Sequence, residues 1–136
     1  MRGQISLEFS IIFLALLIAV IISTIIPSMY GYGKLINTSL ASLGHGALSK
    51  LKTNIEMLSV LDPGSRIVVY IRSPPGVWEI DDHSITLRGD GFTISTRCDI
   101  NLNLNVSQNR TNLSVIGIHL IHLEKVNDTT ININWA

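Results

Sequence analysis

Gln4 and Glu8 stand four residues apart near the start of the chain, and Glu8 is the one acidic residue ahead of an uncharged apolar run from Phe9 to Ile26. On a helix this spacing is close to one turn, so both side chains project from the same side. The chemistry open to such a pair is electrostatic rather than catalytic. Deep in a membrane an ionised carboxylate costs about 2.5–3.5 kcal/mol on insertion scales, and much less at the interface. Within its own chain Glu8 has only the helix dipole to favour it, worth about 0.3–1 kcal/mol. Between chains it has more. If the bond between Gly3 and Gln4 were cut, the new α-ammonium of Gln4 would lie within reach of Glu8 on a staggered neighbour, and breaking a buried pair of that kind costs about 3–5 kcal/mol. Such a pair sets the register of rods packed side by side.

No other constellation competes with it. His119 and His122 in "HLIH" fall on opposite faces of a strand, so they do not converge on a metal. Asp81, Asp82 and His83 read as a solvated corner, and "GDG" around Asp90 lacks the further oxygen ligands of a calcium loop. The triplet Arg88–Gly89–Asp90 matches an adhesion tripeptide, and a hairpin turn accounts for it. Cys98 is the single cysteine, with no histidine arranged beside it, and reads as a small buried hydrophobe in a strand. There is no glycine-rich phosphate loop and no nucleophile beside a base. The reading is a non-enzyme with no catalytic residue, no metal and no cofactor. Ten basic residues balance ten acidic ones without forming a stripe, which argues against a nucleic-acid partner.

The elements that must position Glu8 follow from the hydropathy pattern. Phe9 to Ile26 is 18 residues. As a helix it spans roughly 27 Å, close to a bilayer core of about 30 Å. The run ends "ISTIIPSMY" without the small-residue site of a cleaved secretory signal, and a plain signal anchor would leave Glu8 unexplained. Pro27 lacks an amide donor and disfavours helix at Ile26, so a kink or break is expected there, with a second weak point at Gly44. Apolar residues then recur at helical spacing through Ile36, Leu40, Leu43, Ala47, Leu51, Ile55, Leu58 and Leu61, and "DPGS" stops the helix.

From Arg66 the pattern becomes β. "RIVVYI", "VWEI", "SITLR", "FTISTRC", "DINLNLNVS", "LSVIGIHLIHL" and "TININW" read as about seven strands, with "RGDGF" as a tight hairpin turn. "LSVIGIHLIHL" is apolar on both faces, as suits a central strand covered on two sides. The expected fold class is α+β: a long hydrophobic N-terminal helix over 4–61, apolar to 26 and amphipathic over 34–61, then a mainly antiparallel β head over 66–136. A head of that size needs the helix stripe as one wall of its core.

"RGQISLEFS" resembles the class III signal of archaeal type IV pilin-like proteins, whose motif runs Q-x-S-x-E-x-x-x-L with the cut just before the Gln. Gln4, Ser6 and Glu8 match, Ile12 replaces the final Leu conservatively, Gly3 matches the small residue before the cut, and Arg2 matches the short basic leader. The resemblance implies a leader over residues 1–3 removed by a prepilin peptidase. It also implies a precursor held in the cytoplasmic membrane and later assembly with other pilin subunits into a cell-surface filament. It covers the first 26 residues or so, and the head by itself also permits a monomeric, membrane-anchored surface-binding protein using the same leader.

The polar face carries N-x-S/T sequons at Asn37, Asn105, Asn109, Asn112 and Asn127, three of them crowded into "NVSQNRTNLS". That stretch reads as an exposed loop, and the cluster leans toward glycosylation outside the cell.

Overall fold

The computed structural model describes residues 2–104 and 110–135. Its first element is one α-helix, α1, over Arg2–Ser59. The chain divides into two compact units, residues 1–36 and 37–136.

In the first unit the helical pattern continues through Pro27, so of the expected kink or break the break is corrected. Proline forfeits one backbone bond and crowds the carbonyl four residues back, at a cost of about 3 kcal/mol in an ordinary helix. One turn earlier, Ser23 Oγ donates to the Val20 carbonyl at 3.0 Å and Thr24 Oγ1 to the same carbonyl at 2.9 Å. Both hydroxyls bond within their own helix, whereas the carbonyl that loses its amide donor to Pro27 is that of Ser23, four residues back. Phe9 and Phe13 stack at 6.5 Å, and Lys34 Nζ sits 5.7 Å from the centre of the Tyr30 ring.

In the second unit α1 continues past Gly44, the other expected weak point, and buries Gly44, Ala47, Leu48, Leu51, Ile55 and Leu58. Ile36 and Leu61, expected on the stripe, are exposed, while Leu48 joins it. Gly44 is buried because a close approach demands it. A Cβ there would lie 3.0 Å from Leu87 Cδ2, 3.2 Å from Ile94 Cδ1 and 3.3 Å from Phe92 Cε2. Those are mobile side-chain ends, so a methyl group fits after small shifts. Gly44→Ala should therefore be near neutral in unfolding of the full-length chain in detergent, whereas Gly44→Leu should lose about 1–3 kcal/mol through overpacking. Equal stability of the two variants would contradict the close approach.

Eight strands follow among the described residues: β1 Arg66–Ser73, β2 Gly76–Ile80, β3 Ser84–Gly89, β4 Phe92–Arg97, β5 Asn101–Leu104, β6 Arg110–Leu113, β7 Gly117–Asn127 and β8 Thr130–Trp135. They form two four-stranded sheets, ordered β1-β7-β8-β5 and β4-β3-β2-β6. All pairs are antiparallel except β5 with β8. The inner faces of both sheets and the helix stripe share one core, whose largest fully buried side chain is Trp78. Trp78 Nε1 donates to Ser73 Oγ at 2.9 Å, and its ring lies 5.4 Å from that of Trp135.

Two local patterns of the sequence hold closely, the alternation of apolar residues and Asn in "DINLNLNVS" and the hairpin turn at "RGDGF". Leu102 and Leu104 turn inward while Asn101 and Asn103 face out, and Asp90–Gly91 forms the two-residue turn between β3 and β4. Gly91 has φ +76, which a side chain there would resist. Two others are corrected. The stretch read as one loop contains β6, which pairs with β2 through Trp78 and Thr111. The doubly covered strand is covered on one side only: β7 begins at Gly117 and buries Ile121 and Leu123, while Ile118 is 71% exposed. One helix supplies one layer, and the core uses it on the inner face, so the apolar residues on the far side of β7 stay outside.

Candidate assembly segment and surface sequons

The leader motif lies wholly on α1. Gly3, Gln4, Ser6, Glu8 and Ile12 are all exposed, and a Cβ added at Gly3 would meet nothing within 4 Å. Gln4 and Glu8 share one helix side, as their spacing predicts, and no side-chain bond between them is present. Ser10 Oγ donates to the Ser6 carbonyl at 2.8 Å, so this hydroxyl is turned back onto its own helix. The first turn holds no acidic residue to cap it. Its leading amides have no intrahelical acceptors. The bond between Gly3 and Gln4 lies in this first turn.

Beyond the motif the helix presents apolar side chains all round. Phe9, Ile12, Phe13, Leu16, Ile25, Met29 and Leu35 are each more than half exposed or at half, and no residue of the first unit is buried among those described. The helix is long and apolar enough to cross a membrane. A surface of this kind is stable only in lipid or against other apolar helices. Glu8 stands at its edge, and it is the sole carboxylate there.

The other residues singled out by type fall apart spatially. His119 is half-buried and His122 exposed, on opposite faces of β7. Asp81 and Asp82 are exposed, with His83 Nδ1 lying 3.3 Å from the Ile100 carbonyl oxygen. No group of three or more His, Cys, Asp or Glu side chains is placed to hold a metal among the described residues. Cys98 is buried just after β4, and burial pushes its thiol up; Lys52 opposes the shift while Glu56 and Asp99 add to it.

Of the sequons, Asn105 and Asn109 lie outside the described residues. Asn37 is exposed on α1, Asn112 is exposed on β6, and Asn127 is exposed at the end of β7.

One important residue escaped the sequence reading. Lys125 is 4% exposed, and its ammonium donates to the Ser59 carbonyl at 2.7 Å and to the Leu61 carbonyl at 2.6 Å. It thereby caps the C-terminus of α1 from β7. The available signal was its phase: Ile121, Leu123 and Lys125 alternate into the core, so a lysine there needs a buried partner.

Comparison with known proteins adds three findings. Residues 2–26 match the family described as class III signal peptide. The chain is 43% identical over 124 residues to the minor structural pilin EpdB of Methanococcus maripaludis, covering 91% of this chain and 93% of that one. It is 42% identical over 131 residues to a probable pilin of Methanocaldococcus jannaschii, covering 94% of this chain and 90% of that one. No solved structure matches it significantly.

Proposed function

This chain belongs to the archaeal type IV pilin-like proteins with a class III signal peptide, and from that premise we propose that it is a minor structural subunit of a type IV pilus-like surface filament. The observation that carries this reading is similarity to pilins along both the helix and the head, joined to an apolar first half of α1 in which no described residue up to Ile36 is buried.

The sequence of events follows from the physical chemistry of the segment. The precursor waits with its helix in the cytoplasmic membrane, Arg2 on the inner side and the head outside. A prepilin peptidase cuts between Gly3 and Gln4, removing the basic leader and creating an ammonium at Gln4. The helix then leaves lipid for a bundle of like helices. Both surroundings are apolar, so the transfer yields little hydrophobic free energy, and close packing must drive it. Glu8 supplies the register by pairing with the freed amino end of an adjacent subunit. No catalytic step in the head is required, and the head's role is to coat the filament.

Mass spectrometry on sheared surface filaments tests this directly. The expected result is a chain beginning at Gln4, in lower abundance than the main subunit. Absence of the chain from filaments, or a start at Met1, would overturn the reading.

A further inference from the structure

We propose that Asn127 is an N-glycosylation acceptor, taking an oligosaccharide from a lipid-phosphate-linked sugar donor outside the cell. This rests on the reading above only in requiring an exported head. The three sequons within the described residues differ in local geometry, and the difference decides which one is shaped for the reaction. An accessible carboxamide nitrogen whose side chain already holds the hydroxyl of the +2 residue is an acceptor oriented in advance for the transfer.

Asn37 lies in the middle of α1, where the +2 residue points about 200° around the helix axis. Asn112 lies on β6 paired with Val77, its +2 residue Ser114 falls just past the end of that strand, and no hydrogen bond joins their side chains among the described residues. Asn127 is different. It closes β7 at a register shift between Lys125 and Asn127, and a tight turn leads from it into β8. Within that turn Thr129 Oγ1 donates to Asn127 Oδ1 at 3.1 Å, and the Thr129 amide donates to the same oxygen at 3.0 Å. The Asn127, Asp128 and Thr129 side chains are all exposed.

The chemical consequence is specific. Two hydrogen bonds hold the carboxamide in one orientation and stabilise negative charge on Oδ1. That makes the Nδ2 proton easier to lose as a new bond forms there. Nδ2 itself has no partner among the described residues. In the transfer, Nδ2 forms a bond to the anomeric carbon of the sugar. The bond from that carbon to the phosphate oxygen breaks, the lipid phosphate leaves with the electron pair, and a base of the transferase takes the Nδ2 proton. A glycan there would displace no core group, since the inward neighbour is Lys125, two residues back and turned to α1.

Glycopeptide mass spectrometry on the protein from its own cells reads the outcome. The expected result is a sugar-bearing peptide around Asn127 in wild type. Asn127→Asp should lose the sugar completely while keeping the turn, because a carboxylate accepts both Thr129 bonds. Thr129→Val should also lose it, since only the amide bond survives, and Thr129→Ser should retain at least part. A bare Asn127 on chains that begin at Gln4 overturns the site and leaves the filament reading standing. A glycosylated Asn127 on chains that keep Met1 does the reverse.

Discussion

Glu8→Gln chains are expected to be cut at Gln4 and held in the membrane, yet to enter filaments roughly a hundredfold less than wild type, if the buried pair is worth about 3 kcal/mol. Glutamine is nearly the same size as glutamate, so packing along the helix is preserved and only the charge is removed. The uncovered ammonium of the adjacent Gln4 would then be buried without a counter-ion, and that, more than the lost attraction, carries the penalty. The measurement is the ratio of this chain in sheared filaments to that in membranes, with the N-terminus read in both fractions. A chain that accumulates with Met1 intact would mean that Glu8 is needed for cutting rather than for pairing. Normal incorporation of Glu8→Gln would refute the electrostatic register outright. Should Gln4 cyclise after cutting, the amino end carries no charge, and the pair becomes a hydrogen bond. In that case the loss should shrink to roughly tenfold, in keeping with about 1.5 kcal/mol for a charged acceptor.

The second large effect concerns the head. Lys125→Met is expected to destabilise the protein by about 3 kcal/mol, with hydrogen bonds to a charged group taken as about 1.5–3 kcal/mol each. Methionine occupies the space of the lysine stem but leaves the carbonyls of Ser59 and Leu61 without their shared donor. The Ser59 carbonyl ends α1 and that of Leu61 lies two residues beyond, at the pole where the helix dipole is negative and a cation is favoured. The backbone of Lys125 also binds this corner, accepting from the Gly64 amide at 2.7 Å and donating to the Ser65 carbonyl at 2.9 Å. Those bonds remain in the variant, so the loss reports on the ammonium. Glu124→Gln serves as a contrast. It removes the ion pair with Arg66, 2.8 Å long but with Arg66 74% exposed, and should cost under about 1 kcal/mol. Urea unfolding of the full-length chain in detergent, followed by the fluorescence of buried Trp78 and half-buried Trp135, measures both. Equal effects of the two substitutions would show that the lysine cap adds nothing beyond a surface charge.

The two residues with the largest expected effects were not equally legible. Glu8 stands out in one dimension, because a lone charge beside an uncharged run is visible without any fold. Lys125 does not, because its partners lie more than 60 residues away in the chain. The same division runs through the rest of the molecule. The helix stripe, the alternation of Leu102 and Leu104 against Asn101 and Asn103, and the turn at Gly91 are periodic or local, and each is read from neighbours within a few positions. By itself the sequence determined an apolar rod with an acidic edge, a β-rich head and the leader motif, since composition and spacing are sufficient for these. Tertiary structure decided whether α1 passes Pro27 and Gly44, where β6 pairs, that β5 runs parallel to β8, that the outer side of β7 is bare, and which sequon holds its own hydroxyl. Each of those depends on which distant segments meet, and the free energy of meeting is a property of the packed chain rather than of any stretch of it.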